Sequence, residues 1–167
     1  MPIIITRGNT FYGPTPYPDI LVAKSFVLLS QKSLAYIHGN GDHCRNHVYV
    51  IDIAEAFDVI MNRGNVGSVY NVGPDQEKTN LQVVRDCVRA SGPQDLINPN
   101  ANITFVKDRE VNGHQYGIDS SKLNKLGWTQ KVSWERISHV TFIHRAKAFI
   151  RMSAVFVVIF LVRIQLA

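Results

Sequence analysis

Arg45 stands just beyond a turn bracketed by Gly39 and Gly41, in the run GNGDHCRNHVYVIDIAEAF. A guanidinium placed there is either solvated surface charge or a clamp for an anion, because its planar fork makes paired bonds to phosphate or carboxylate oxygens. Around it His38, His43, Cys44 and His47 raise the question of a metal. Cys44-x-x-His47 has usable ligand spacing, but no second ligand pair accompanies it, so no metal site is expected. His38 taken alone reads as a structural residue. Asp52 and Glu55 could serve as paired carboxylates for proton transfer. Three residues apart and ahead of an apolar run, they are better explained as a capping box, with Asp52 as the N-cap.

The elements that must carry these residues follow from local pattern. Residues 3–6 read as a buried parallel strand, followed by a loop rich in Gly, Pro and Tyr. A helix is expected over about 19–31, with Ile20, Phe26, Val27 and Leu28 near helical spacing. A short strand at 48–50 leads into the helix that Asp52 would cap. The turn at 64–67 leads to the strand SVYNVG. Thr79 is expected to cap the next helix, with Gln82 at the reciprocal position and Leu81, Val84 and Val88 on one face. QDLINPNAN reads as a loop and ITFVK as a strand. DSSKLNKLGW reads as a short helix capped by Asp119 and ended by Gly127. Strands alternating with helices make an α/β fold.

Composition is that of an ordinary globular protein, 46% hydrophobic and 19% charged in 167 residues, long enough for one domain with a core. Two cysteines without paired spacing point to a reducing, cytoplasmic setting. The net charge of +5 comes from the end of the chain. Acidic and basic residues cancel up to Glu135, and from Arg136 onward there are bases and no acids. The body is therefore not expected to bind nucleic acid. The apolar run MSAVFVVIFLV is bounded by Arg151 and Arg163 and falls short of the roughly 20 residues a membrane span needs. Only by snorkelling both arginines would 148–167 reach that length, so a membrane is the lesser reading of this tail.

Five motifs in order, TRGNTFYGPTPYP, HGNGDHCRNHVYVIDIAEAF, VYNVG…EKTNLQVV, VKDR…QY and DSSKLNKLGW…SWE, resemble the C-terminal half of the dTDP-glucose 4,6-dehydratases. These are extended short-chain dehydrogenases/reductases that use NAD, and plant UDP-rhamnose synthases share the motifs. The resemblance spans residues 2–135. It implies the last sheet strands of a Rossmann-like fold plus a small substrate-binding lobe at 1–135, with 136–167 as a divergent basic and apolar tail. It also implies a homodimer, and as ligand a nucleotide sugar, dTDP-glucose or UDP-glucose. By the same resemblance Arg45 grips the diphosphate and Arg109 completes a two-arginine clamp. Asn80 contacts the diphosphate, Asn112 the ligand, His38 packs beside the base, and Asn9 lies near the nicotinamide. For Asn80 a plain helix-start role fits as well, and for Asn9 a turn.

The family's Tyr-x-x-x-Lys pair, its Thr-Asp-Glu run and its glycine-rich NAD motif are not among these residues. The resemblance places them upstream of Met1, so no residue here is expected to be catalytic. The retained part departs from pattern too. Thr10 stands where the family has Asn, Ile20 where it has Lys, Glu110 for Pro, and Gly113 and Gln115 for Asp and Arg. The implied activity is NAD-dependent conversion of a nucleoside-diphosphate glucose to its 4-keto-6-deoxy product, not expected of the chain alone. The alternative is a non-catalytic nucleotide-sugar-binding or membrane-tethered regulatory fragment. Lacking neighbours, the strand at 3–6 is expected to lie at an uncovered sheet edge.

Overall fold

The computed structural model describes residues 2–8, 10–14, 17, 19–74, 76–91, 98–110 and 117–136. Asn9, Asn112, Gly113, Gln115 and the tail segment 148–167, all invoked above, lie outside them.

The fold is α/β. Seven strands, β1 (Ile5–Gly8), β2 (Thr10–Tyr12), β3 (Ala35–His38), β4 (Cys44–Tyr49), β5 (Val69–Val72), β6 (Glu77–Thr79) and β7 (Ile103–Val106), form three small sheets. Their orders are β1-β5, β2-β4-β6 and β3-β7. All pairings are parallel except β4 with β6. Helices α1 (Leu21–Ser30), α2 (Val50–Arg63), α3 (Asn80–Ser91) and α4 (Ser121–Asn124) connect and cover them.

Three apolar clusters hold the elements together. One lies beneath α2 and joins Val48, Ile53, Ala56, Ile60, Tyr70, Val72, Leu123 and Trp128. The second joins Tyr12, Val22, Val83, Cys87 and Trp134, and the third Ala35, Ile37, Val84 and Val88. α3 serves both of the latter. Val83 and Cys87 face one cluster and Val84 and Val88 the other, as i, i+4 pairs on adjacent stripes of one helix must. Burial pushes the Cys87 thiol far above its ordinary range, with the Asp86 carboxylate adding to it, so it behaves as a small core hydrophobe.

α1 starts two residues later than the pattern suggests. It buries Val22, Ala23 and Ser25, while Ile20, Phe26, Val27 and Leu28 are only partly covered. The reason is that α1 packs on α3 along one side, with Val22 inside and Leu21, Phe26 and Leu29 at the margin of the clusters α3 serves. β1 is parallel as expected but not buried. It pairs only with β5, and Ile5 is 50% exposed, because no strand lies on its other side among the described residues. The loop reading at 94–102 is overturned at its end, where Pro99–Asn102 is a 3-10 turn capped by Asn98, whose side chain accepts from the Asn100 amide.

Two capping expectations have opposite outcomes. Thr79 and Gln82 form the reciprocal pair: Gln82 N–H donates to Thr79 Oγ1 at 3.1 Å and Thr79 N–H to Gln82 Oε1 at 2.9 Å. Asp52 is not an N-cap. α2 begins at Val50, and the Asp52 side chain, 1% exposed, points into the interior. Its carboxylate accepts from the amides of Lys131 at 3.2 Å and Val132 at 3.0 Å, and its carbonyl from Trp128 Nε1 at 3.0 Å. Glu55 instead pairs with Lys131 Nζ at 2.7 Å. Asp119 acts one position earlier than a cap: its Oδ1 accepts from Ser121 N–H, which, with the Ser121 hydroxyl, holds its carboxyl below the usual range. The N-cap of α4 is Ser120, whose hydroxyl is bonded in both directions to the Gly73 backbone.

Candidate functional site

The turn between β3 and β4 is built on glycine for two reasons. Gly39 and Gly41 adopt φ of +64° and +84°, which side chains with a Cβ rarely take. Both are also closely approached. A Cβ on Gly39 would stand 2.9 Å from Asp108 Oδ2, and one on Gly41 2.9 Å from Leu81 Cβ. The first approach brings in the segment after β7, and the second brings in the start of α3. The turn thereby gathers three chain segments at the C-terminal ends of β3 and β7, where open parallel sheets present their ligands.

Further bonds fasten the segment after β7. Gly39 N–H donates to Val106 O at 3.0 Å. His38 Nδ1 lies 3.1 Å from Lys107 O, and since a carbonyl can only accept, Nδ1 carries the proton. His43 Nε2 lies 3.6 Å from Asp108 Oδ2, and Asp108 Oδ1 accepts from Arg109 N–H at 2.8 Å. At α3, Asn80 N–H donates to His43 O at 2.9 Å and Leu81 N–H to Gly41 O at 3.1 Å.

What this framework encloses is a cleft of about 270 Å³. Arg45, Arg109, Asn80 and His38, read from the sequence as site residues on separate segments, all line it. Lys24 and Tyr36 line it as well, with the Lys24 ammonium 4.5 Å from the centre of the Tyr36 ring. Three cations, Lys24, Arg45 and Arg109, face one carboxylate, Asp19. Asn80 is the first residue of α3, so the positive end of that helix adds to the field. Arg45 also donates from Nη1 to Cys44 O at 2.6 Å, which orients its guanidinium. The arrangement is chemically an anion cradle with an aromatic flank.

Thr10 and Ile20, the two departures from pattern noted above, are in the same cleft. Lys24 follows Ile20 by one helical turn, with Lys24 N–H donating to Ile20 O at 2.9 Å, and so brings an ammonium to the wall where Ile20 has none.

His47 also lines the cleft, and the sequence reading weighed it only as a metal ligand. It is 5% exposed, and its ring meets that of Trp134 at a tilt, with centres 4.8 Å apart. Burial first, then the charges of Lys78 and Arg45, push its pKa down to about 4, so the ring is neutral at neutral pH. The four residues weighed as metal ligands turn apart. His38 bonds Lys107 O, His43 faces Asp108, Cys44 Sγ donates to Asp42 O, and His47 meets Trp134. Among the described residues no group of three or more His, Cys, Asp or Glu is placed to hold a metal. Among them also, no helix is long and apolar enough to cross a membrane.

Comparison with known proteins gives one consistent picture. The family model described as GDP-mannose 4,6 dehydratase matches residues 5–141. A trifunctional UDP-glucose 4,6-dehydratase/UDP-4-keto-6-deoxy-D-glucose 3,5-epimerase/UDP-4-keto-L-rhamnose-reductase of Arabidopsis thaliana is 39% identical over 135 residues, covering 81% of this chain and 20% of that protein. A dTDP-D-glucose 4,6-dehydratase of Dictyostelium discoideum is 36% identical over 172 residues, covering 86% of this chain and 40% of that protein. The crystal structure of dTDP-glucose 4,6-dehydratase from Bacillus anthracis, in complex with NAD, superposes with a TM-score of 0.73 at 29% identity, covering 82% of this chain and 42% of that one. The chain therefore spans less than half the length of each of these three relatives.

Proposed function

The chain belongs to the GDP-mannose 4,6 dehydratase family, and from that premise we propose that it supplies the nucleotide-sugar-binding part of a sugar-nucleotide 4,6-dehydratase. The observation that carries this reading is the meeting of Arg45 and Arg109 in one cleft with Asn80 at the start of α3. Two guanidiniums suit a diphosphate, whose charge is spread over several acceptor oxygens, and the α3 dipole adds to the field although its first three amides are already bonded. His38 and Tyr36, whose rings meet edge-on at 5.7 Å, give the cleft an aromatic flank against which a nucleobase can rest. Lys24 stands in for the lysine that relatives carry where this chain has Ile20.

In that role the residues of the cleft bind and orient the sugar nucleotide rather than carry out the proton and hydride transfers. NAD supplies the redox chemistry in the family. Among the described residues no strand passes into a helix through a glycine-rich turn, so they do not fit the dinucleotide, and the chain's own share of the reaction is substrate binding.

Calorimetric titration of the full chain with UDP-glucose and with dTDP-glucose tests the reading and ranks the two bases. Arg45→Ala is expected to weaken binding by about 30-fold, the loss of one charge-assisted bonding group, with thermal stability unchanged. Absence of binding to either sugar nucleotide would overturn the proposal.

A further inference from the structure

His47 is a buried residue whose two ring nitrogens have no hydrogen-bond partner among the described residues. Leaving a buried imidazole unpaired is costly, and native proteins rarely do so without a ligand, an ion or a water to meet it. The residue stands between two openings, with both ring nitrogens themselves covered. It lines the Arg45–Arg109 cleft, and it also lines a second cleft of about 340 Å³ edged by Lys78, Gln130, Ser133 and Trp134. In the β2–β4 ladder His47 is the register partner of Thr10, which lines the first cleft beside it.

The chemistry narrows what His47 is suited to meet. A neutral imidazole offers one N–H donor and one lone pair. A phosphate oxygen can use only the donor, and the cleft already carries Lys24, Arg45 and Arg109 for phosphate. A hydroxyl both gives and takes, as the imidazole does, and Thr10 places another hydroxyl at its side. Resting on the reading of the cleft as a nucleotide-sugar site, we propose that His47 is a specificity-determining residue that hydrogen-bonds a sugar hydroxyl of the bound nucleotide sugar. It would select for the hexose, where the arginines select for the diphosphate. The same ring nitrogens that destabilise the empty chain would be satisfied on binding.

This separates His47 from a merely structural wall residue. His47→Phe keeps a ring against Trp134 and removes both nitrogens. It is expected to raise the unfolding midpoint, to weaken UDP-glucose binding about tenfold, the worth of roughly one hydrogen bond, and to leave UDP binding unchanged. His47→Gln, which retains a donor and an acceptor, should bind UDP-glucose within about threefold of the parent chain, by the same reckoning. Should the Phe variant not fold, the parent chain decides the matter through the ¹⁵N resonances of the His47 ring. They should move on titration with UDP-glucose and stay in place with UDP. Equal loss of UDP and UDP-glucose binding in His47→Phe, no loss of either, or ring resonances indifferent to the sugar would each overturn the inference while leaving the arginine cleft standing. A parent chain that binds neither ligand overturns the cleft reading and this inference together.

Discussion

Asp52 and His47 lie five residues apart on one continuous stretch, both almost wholly buried, yet their surroundings treat them oppositely. Around Asp52 the carboxylate and the carbonyl both have their counterparts. The carboxylate takes two amides of the 131–132 segment, and the carbonyl takes the Trp128 indole N–H. Around His47 the neighbours are rings and a ladder partner, and neither nitrogen is met. The first region is built to be complete by itself, tying α2 to the end of the described chain. The second is built with a polar group held in reserve on a cleft wall. Buried polarity that is fully paired stabilises a fold; buried polarity left open marks where something else is meant to arrive.

The comparison can be broken most directly at Asp52. Asp52→Ala orphans two amides at once and is expected to cost about 4 kcal/mol, since bonds to a charged acceptor are worth roughly 1.5–3 kcal/mol each. Urea unfolding would read this as a lowered midpoint, and a loss under about 1 kcal/mol would show that the pairing is ornamental.

His47 should show its side of the contrast through pH. Its folded pKa, about 4, lies below the ordinary value of 6.5, so between those values the unfolded chain binds more protons. Stability is therefore complete above pH 6.5 and falls as pH drops toward 4, by up to about 3 kcal/mol for a shift of this size. Subtracting the pH profile of His47→Phe from that of the parent chain isolates the effect. Identical slopes would mean that the ring is solvated in the folded state.

A smaller loss, about 2 kcal/mol, is expected for Ser120→Ala. Its buried hydroxyl is bonded both ways to the Gly73 backbone, and its removal leaves a buried N–H and C=O unmet. Smallest is Gln82→Ala, at about 1 kcal/mol for half a capping box. Gln82 sharpens the comparison because it steadies the start of α3 beside the cleft. Its loss should weaken UDP-glucose binding slightly, whereas the costlier Ser120→Ala should not affect it.

The two capping patterns show how far residue order alone reaches. Thr79 with Gln82 and Asp52 with Glu55 look the same on paper. The first pair closes on itself within one turn, so local spacing was enough to find it. The second is claimed by Lys131, Val132 and Trp128, some 80 residues away, and nothing near Asp52 announces them. The α/β alternation, the parallel strands and most helices were legible because periodicity is local. The partial burial of α1 was not, because it depends on which neighbour is present, and the uncovered edge at β1 was expected only through the family resemblance, since periodicity alone reads that strand as buried. Arg45 and Arg109 were named together only through family resemblance. Their meeting rests on Asp108 seating against Gly39, a contact between distant segments that leaves no mark in spacing. His47 was weighed only as a metal ligand because its contact with Trp134, far along the chain, leaves no local mark.

The divided allegiance of α3 has a consequence for how this lobe tolerates change. One helix is the common rail for two apolar clusters, so a volume change at Val83 or Cys87 cannot be absorbed by rolling the helix without unseating Val84 and Val88. The rail ends at Asn80, inside the cleft. Repacking either cluster, even at residues remote from solvent, should thus be felt as a displaced grip at the mouth of the site.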